Sequence, residues 1–178
     1  MRTLFLVFFS LIVWQLNASN NESQDESINW LPIQEALEKN TANPKKIFID
    51  VYTDWCGWCR RMDQNTYSHP FIIEYINKHF YPVKMNGEMK EPITIGDQVY
   101  RFVESGRRGY HELPATLLQG RMSYPSIVFL DENNDLLQPI PGYREPNALH
   151  MFLQYFGENY YKTVDWEEFE ENFESPIK

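Results

Sequence analysis

Both cysteines of the chain fall within seven residues, DWCGWCR at 54–60, directly after the run KIFIDVYTD at 46–54. The β-branched and aromatic content of that run predicts a buried strand. A strand that enters C-x-x-C and continues as a helix places Cys56 at a helix N-terminus, with Cys59 one turn later and facing back toward it. A close pair of this kind can clip a metal, staple the chain or carry redox chemistry. The staple reading is poor, because disulfide stabilisation grows with the size of the closed loop and this loop is minimal. The metal reading is also poor. A structural zinc site takes four ligands, and the chain has no second C-x-x-C and no closely spaced histidine pair. His69, His79, His111 and His150 are scattered and are expected on the surface or at helix caps. Redox chemistry remains. At a helix N-terminus a thiol falls from its usual pKa of about 8.5 toward or below neutrality, which makes Cys56 a nucleophile and Cys59 the thiol that resolves the mixed disulfide.

The 178 residues, 43% of them hydrophobic, suffice for one domain with a substantial core. A formal charge of −9 excludes a protein that binds nucleic acid through its phosphates. The basic pairs Lys45-Lys46 and Arg107-Arg108 read as solvated surface. The N-terminus, MRTLFLVFFSLIVWQLNAS, has one basic residue, an apolar run from Leu4 to Trp14 and then small polar residues, the pattern of a secretory signal peptide over 1–18. Its apolar run is about half of the roughly 20 residues that a membrane-spanning helix needs. A polar linker is expected at 19–29, the main domain at 30–157 and an acidic helical extension at 158–178. Export, to a periplasm or to the outside, leads to a compartment where disulfides persist.

Along the chain the reading is a helix at 30–40, the strand at 46–54, and helix from the cysteines onward. That helix breaks at NTYSHP and resumes from Pro70 to His79 with Phe71, Ile72, Tyr75 and Ile76 inward. A second strand at 81–87 follows, parallel to the first. Residues 88–109 form a surface excursion in which ITIGDQVYRF alternates about a Gly-Asp turn. A helix through Pro114 ends near Gly120; strands at 126–131 and 135–140 form a hairpin. An amphipathic helix with Leu149, Phe152, Leu153 and Phe156 on one side follows, and then an acidic helix packed by Trp166, Phe169 and Phe173.

In this order the motifs resemble the thioredoxin superfamily over residues 30–157. DWCGWCR is similar to that family's active-site loop, with Gly57 between the cysteines. The resemblance implies a thioredoxin-like α/β fold, a central mixed sheet flanked by helices. It implies that Asp50, six residues before Cys56, is a buried carboxylate that moves the proton of the resolving Cys59, and that Lys84 stands near it. SYPS resembles the family's cis-proline loop, so Pro125 is expected to be cis and opposite the cysteines, with the Tyr124 backbone pairing to substrate main chain. Trp55 and Trp58, in a loop at a helix start, are expected to give apolar contact to a protein substrate.

The chain departs from the common pattern in its Gly57-Trp58 pair. Without a histidine before Cys59, one donor that would stabilise the Cys56 thiolate is missing, which argues against a strong oxidant. Exported thioredoxin-like proteins carry similar WCGWC motifs. The function expected is therefore reduction of protein disulfides outside the cytoplasm, with a membrane thiol–disulfide partner as electron donor or acceptor. No cofactor is required beyond the Cys56/Cys59 pair. The alternatives are a disulfide oxidase or isomerase, or a non-enzymatic binding or metal-carrier module on the same scaffold.

Overall fold

A computed structural model describes residues 26–177. The signal peptide expected at 1–18 and most of the 19–29 linker lie outside the described residues. Ile28, at the end of that linker, is already buried in the core.

The first helix, α1 (Ile33–Ala42), buries Ile33 and Ala36 and carries a Glu35–Lys39 pair one turn apart on its exposed side. It leads to β1 (Ile47–Tyr52), whose first five residues are buried, as befits a strand covered on both faces. The cysteine motif then opens α2 (Gly57–Asn65), and Pro70 at the first position starts α3 (Pro70–His79) after the expected break. Next comes β2 (Tyr81–Asn86).

The excursion contains two small hairpins, β3 (Ile93–Ile95) with β4 (Gln98–Tyr100), and β5 (Phe102–Val103) with β6 (Tyr110–His111). It is not merely superficial, since Ile93 joins the core beside β2. A six-residue helix, α4 (Glu112–Leu117), and the antiparallel pair β7 (Ser126–Leu130) and β8 (Leu136–Pro141) follow. The chain ends with α5 (Pro146–Gly157), a 3-10 turn and α6 (Trp166–Asn172).

The main sheet has the order β2-β1-β7-β8, with β1 and β2 parallel and the other pairs antiparallel. Alternation along the strands splits the core into two layers. Phe48, Ile127 and Phe129 point toward α2, α3 and α5, where they meet Met62, Ile72, Ile76, Leu149 and Leu153. Ile47, Ile49, Val51 and Val83 point the other way, toward Ile33 and Ala36 of α1. Asp50 is two residues from Phe48 and so shares the α2 side.

Several expectations need correction. His150 is buried, at 4% exposure, between Phe71 and Tyr75 of α3 and Phe173; His111 caps the N-terminus of α4, one of the two places expected of it, but is fully buried there rather than exposed. Lys46 is not solvated surface; it is buried and bonded to Glu132 at 2.6 Å and Asn159 at 2.9 Å. Phe71 and Phe152 lie at the edge of the core, and Ile73 and Tyr155 are the buried residues beside them. The helix expected through Gly120 stops at Leu117. The C-terminal helix, in contrast, packs as expected, with Phe169 buried and its ring 5.0 Å from that of Tyr155.

Candidate active site

The end of β1 delivers the chain to the N-terminus of α2, where Cys56 is the N-cap residue. Cys56 and Cys59 are joined in a disulfide. The Cys59 backbone N–H donates to Cys56 Sγ at 3.0 Å, so a donor that the helix cannot otherwise satisfy is spent on sulfur. Once the pair is reduced, the same donor and the helix dipole favour the Cys56 thiolate. Both cysteines are buried at 4% exposure, while Trp55 and Trp58 beside them are, among the described residues, the two large hydrophobic side chains left exposed, at 47% and 58%. Gly57, between them, has only the Arg60 side chain near the place a Cβ would take.

Each tryptophan is held. Trp55 donates its indole N–H to Glu88 at 3.0 Å and meets the Tyr124 ring edge-on at 6.0 Å. Trp58 lies 5.4 Å from the Tyr143 ring, with the Arg61 guanidinium at 5.7 Å. The Tyr124-Pro125 peptide bond is cis. The Tyr124 ring packs over the end of β2, in space that a side chain at Gly87 would occupy. Burial, with the Glu88 carboxylate adding to it, pushes the Tyr124 phenol up to about 12.

Behind α2 the strand alternation sets Asp50, 2% exposed, in the core. Register places it directly opposite Lys84 across the parallel pair. Lys84 Nζ is 3.4 Å from Asp50 Oδ2, and Tyr67 donates its hydroxyl to Asp50 Oδ1 at 3.1 Å. Lys84 also contacts Asp63 of α2, whose side chain is 41% exposed. Burial raises the Asp50 carboxyl to about 6; Lys84 and the Tyr67 hydrogen bond oppose that rise and Asp63 adds to it.

The structure thus brings Cys56, Cys59, Gly57, Trp55, Trp58, Tyr124 and Pro125 to one end of the sheet and joins Lys84 to Asp50. Three partners were missed in the sequence. Asp63 lies one turn beyond Cys59 on α2, a spacing that could have found it. Tyr67 sits in the break after α2, and no periodic signal points from there to Asp50. Arg108 is exposed, as read, but also holds its guanidinium 4.3 Å from the centre of the Trp55 ring, a contact with no signal in the local pattern. Among the described residues no three His, Cys, Asp or Glu side chains come together as metal ligands.

A parallel β1–β2 pair extended by an antiparallel hairpin, with a cysteine pair at the N-terminus of the first crossover helix, defines a thioredoxin-fold protein with a disulfide-forming pair. The chain belongs to the Thioredox_DsbH family, described as "Protein of unknown function, DUF255", whose model matches residues 18–135. Among solved structures it is similar to one titled "DsbH Oxidoreductase", with a TM-score of 0.54 and 19% identity, covering 74% of this chain and 85% of that one. Among curated proteins, Spermatogenesis-associated protein 20 of Rattus norvegicus is 30% identical over 84 residues, 46% of this chain and 10% of that protein. The thiol:disulfide interchange protein DsbD of Pectobacterium atrosepticum is 23% identical over 60 residues, 32% of this chain and 10% of that one. The matched stretches thus span about a tenth of the length of these curated relatives.

Proposed function

We propose that the protein is an exported thiol–disulfide oxidoreductase that reduces disulfides in other proteins. The observation that carries this reading is the cysteine pair at the start of α2, backed by a buried carboxylate that burial raises to about 6. A group with that pKa can hold or release a proton near neutral pH, as the resolving step requires. In the forward direction the Cys56 thiolate attacks one sulfur of a substrate disulfide. That bond breaks, one substrate thiolate leaves, and a mixed disulfide forms. Cys59 passes its proton to Asp50 and attacks Cys56 Sγ, which releases the second substrate thiol and closes the Cys56–Cys59 disulfide. The substrate gains two electrons from the dithiol, one proton returned by Asp50 and one taken from solvent; a membrane dithiol donor restores the pair. The electrons reside in the cysteines, so the cycle calls for no further cofactor. The N-terminal pattern at 1–18 supports export, and the likeness to a thiol:disulfide interchange protein supports exchange with a dithiol donor.

Cys59→Ser is expected to accumulate a mixed disulfide with substrate, and Cys56→Ser to form none and reduce nothing. Full activity in the Cys56→Ser protein would overturn the assignment.

One observation favours the reverse direction. The Cys59 N–H bond to Cys56 Sγ would stabilise a thiolate, and a stabilised dithiol makes a pair more oxidising. An oxidase or isomerase would be more stable to unfolding as dithiol than as disulfide; a reductase shows the opposite order.

A further inference from the structure

Resting on the oxidoreductase reading, we infer that the β5–β6 hairpin adds a subsite beside the cysteines, in which Arg107 and Arg108 bind an acidic side chain on an extended segment of the substrate protein. The hairpin turn is Ser105-Gly106-Arg107-Arg108-Gly109, closed by a Gly109 N–H bond to the Ser105 carbonyl at 3.0 Å. Gly106 and Gly109 take the positive φ values, +56° and +76°, that such a turn needs, and a side chain at Gly109 would strike the Phe102 ring and the Val103 carbonyl. The root of the hairpin is fixed as well. The His111 backbone N–H donates to the Gly87 carbonyl at 2.8 Å, and the Glu112 N–H donates to the Arg101 carbonyl at 2.9 Å. The turn is therefore carried on a braced support.

That support brings the arginines to the active end of the sheet. A cleft of about 490 Å3 opens there, lined by Trp55, Tyr124, Arg107, Arg108, Tyr110 and Met122, with Glu88 and Ser105 at its edge. Trp55 immediately precedes Cys56, and Tyr124 immediately precedes Pro125, so two walls of the cleft are the chain neighbours of the disulfide and of the cis-proline. Its volume exceeds that of a single side chain and suits a short extended segment.

The charge inside it is uncommitted. Among the described residues neither Arg107 nor Arg108 lies within ion-pair distance of a carboxylate, although the chain carries a net charge of −9. Glu88, the acidic residue of the lining, has its carboxylate engaged by the Trp55 indole. The Arg108 guanidinium carbon stands 4.3 Å from the centre of the Trp55 ring, a cation–π approach, and its N–H groups have no carboxylate partner among the described residues. Two unpaired guanidinium groups with aromatic walls fit a carboxylate held on an apolar stem. An acidic protein would otherwise repel an acidic substrate, and the hairpin supplies the local reversal of sign.

The test uses the full chain and three disulfide-linked peptides that differ at one position two residues from the cysteine: Glu, Gln or Lys. The wild-type protein is expected to reduce the Glu peptide about fivefold faster, in kcat/KM, than the Lys peptide at low salt, with the preference fading at high salt. The double variant R107A/R108A is expected to bring the ratio near one, and R107K/R108K to retain most of it. Equal wild-type rates on the three peptides, or a preference that survives in R107A/R108A, would overturn the proposal. A second readout does not depend on reduction. Versions of the Glu and Lys peptides with serine in place of cysteine are titrated against the oxidised protein, following the Trp55 indole N–H resonance by NMR. Preferential binding of the Glu version without reduction of any peptide would uphold the subsite and reject the oxidoreductase reading. Equal binding of both versions would reject the subsite alone.

Discussion

The Lys84 ammonium stands 3.4 Å from the buried Asp50 carboxylate while also contacting Asp63, so one cation is shared between a carboxylate in the core and one at the surface. Sharing leaves Asp50 incompletely compensated, and burial prevails over the attraction of Lys84.

Asp50 should therefore cost stability at neutral pH. Its folded pKa of about 6 lies above the ordinary value of 3.8, so the native state binds more protons than the unfolded chain between those values. Stability falls as pH rises through that window and stays lower above it. Asp50→Asn is expected to stabilise the oxidised protein by roughly 1–3 kcal/mol at pH 7.5 and to have little effect below pH 4. Urea denaturation at the two pH values checks this. The same variant should slow resolution of the mixed disulfide.

The two neighbours of Asp50 should move its titration in opposite directions. Asp63→Asn removes a repelling charge and leaves Lys84 to Asp50 alone, so the Asp50 pKa should fall. Lys84→Met removes the main attraction and should raise it further. Carboxyl carbon chemical shifts followed against pH measure both, and shifts of the same sign would contradict the sharing.

The sequence made part of this site legible and hid part of it. The cysteine pair, Asp50 and Lys84 stand on consecutive strands and a helix start, where period-two alternation and a single strand-to-helix junction fix which side chains converge. The two-layer helix and strand order could be read for the same reason. Tyr67 reaches Asp50 from an aperiodic break, and the burial of His111, His150 and Lys46 depends on partners 20 or more residues away. Arg107-Arg108 reads as surface and is exposed, but nothing in the local pattern says that a turn between two glycines brings Arg108 to Trp55.

His111 gives the excursion a pH dependence. Its Nδ1 accepts the Leu113 N–H at 3.2 Å, which leaves Nε2 to donate to the Glu91 carbonyl at 3.1 Å. The Leu113 bond needs the neutral ring, whereas Nε2 donates to Glu91 in either form, and burial holds the pKa below its ordinary 6.5. The stabilisation is complete above that value and is lost as pH falls below it. Hydrogen exchange at the Phe102 and His111 amides, corrected for intrinsic rates, should accelerate below pH 6.5 while the Ile49 amide in β1 stays protected.

The C-terminal extension belongs to the folded unit. Phe169 is buried against Tyr155, Tyr160 and Phe173. Phe169→Ala is expected to destabilise the protein by about 3 kcal/mol, read as a lower urea midpoint with an unchanged slope.

Gly87 controls how Tyr124 is seated. Gly87→Ala would place a methyl group in the Tyr124 ring, which must then swing away from the strand. KM for a peptide disulfide should rise several-fold, with a stability loss of about 1–3 kcal/mol.

The direction of electron flow is the central claim, and the reduction potential of the Cys56–Cys59 pair tests it most directly. The full chain is equilibrated in graded thiol–disulfide buffers, and the oxidised fraction is read by alkylation and mass. A midpoint more negative than about −220 mV, on the side of cytosolic thioredoxin, is expected for a protein that gives electrons to substrate disulfides. A less negative midpoint, toward the disulfide isomerases and DsbA, would contradict it and make the protein one that introduces or rearranges disulfides.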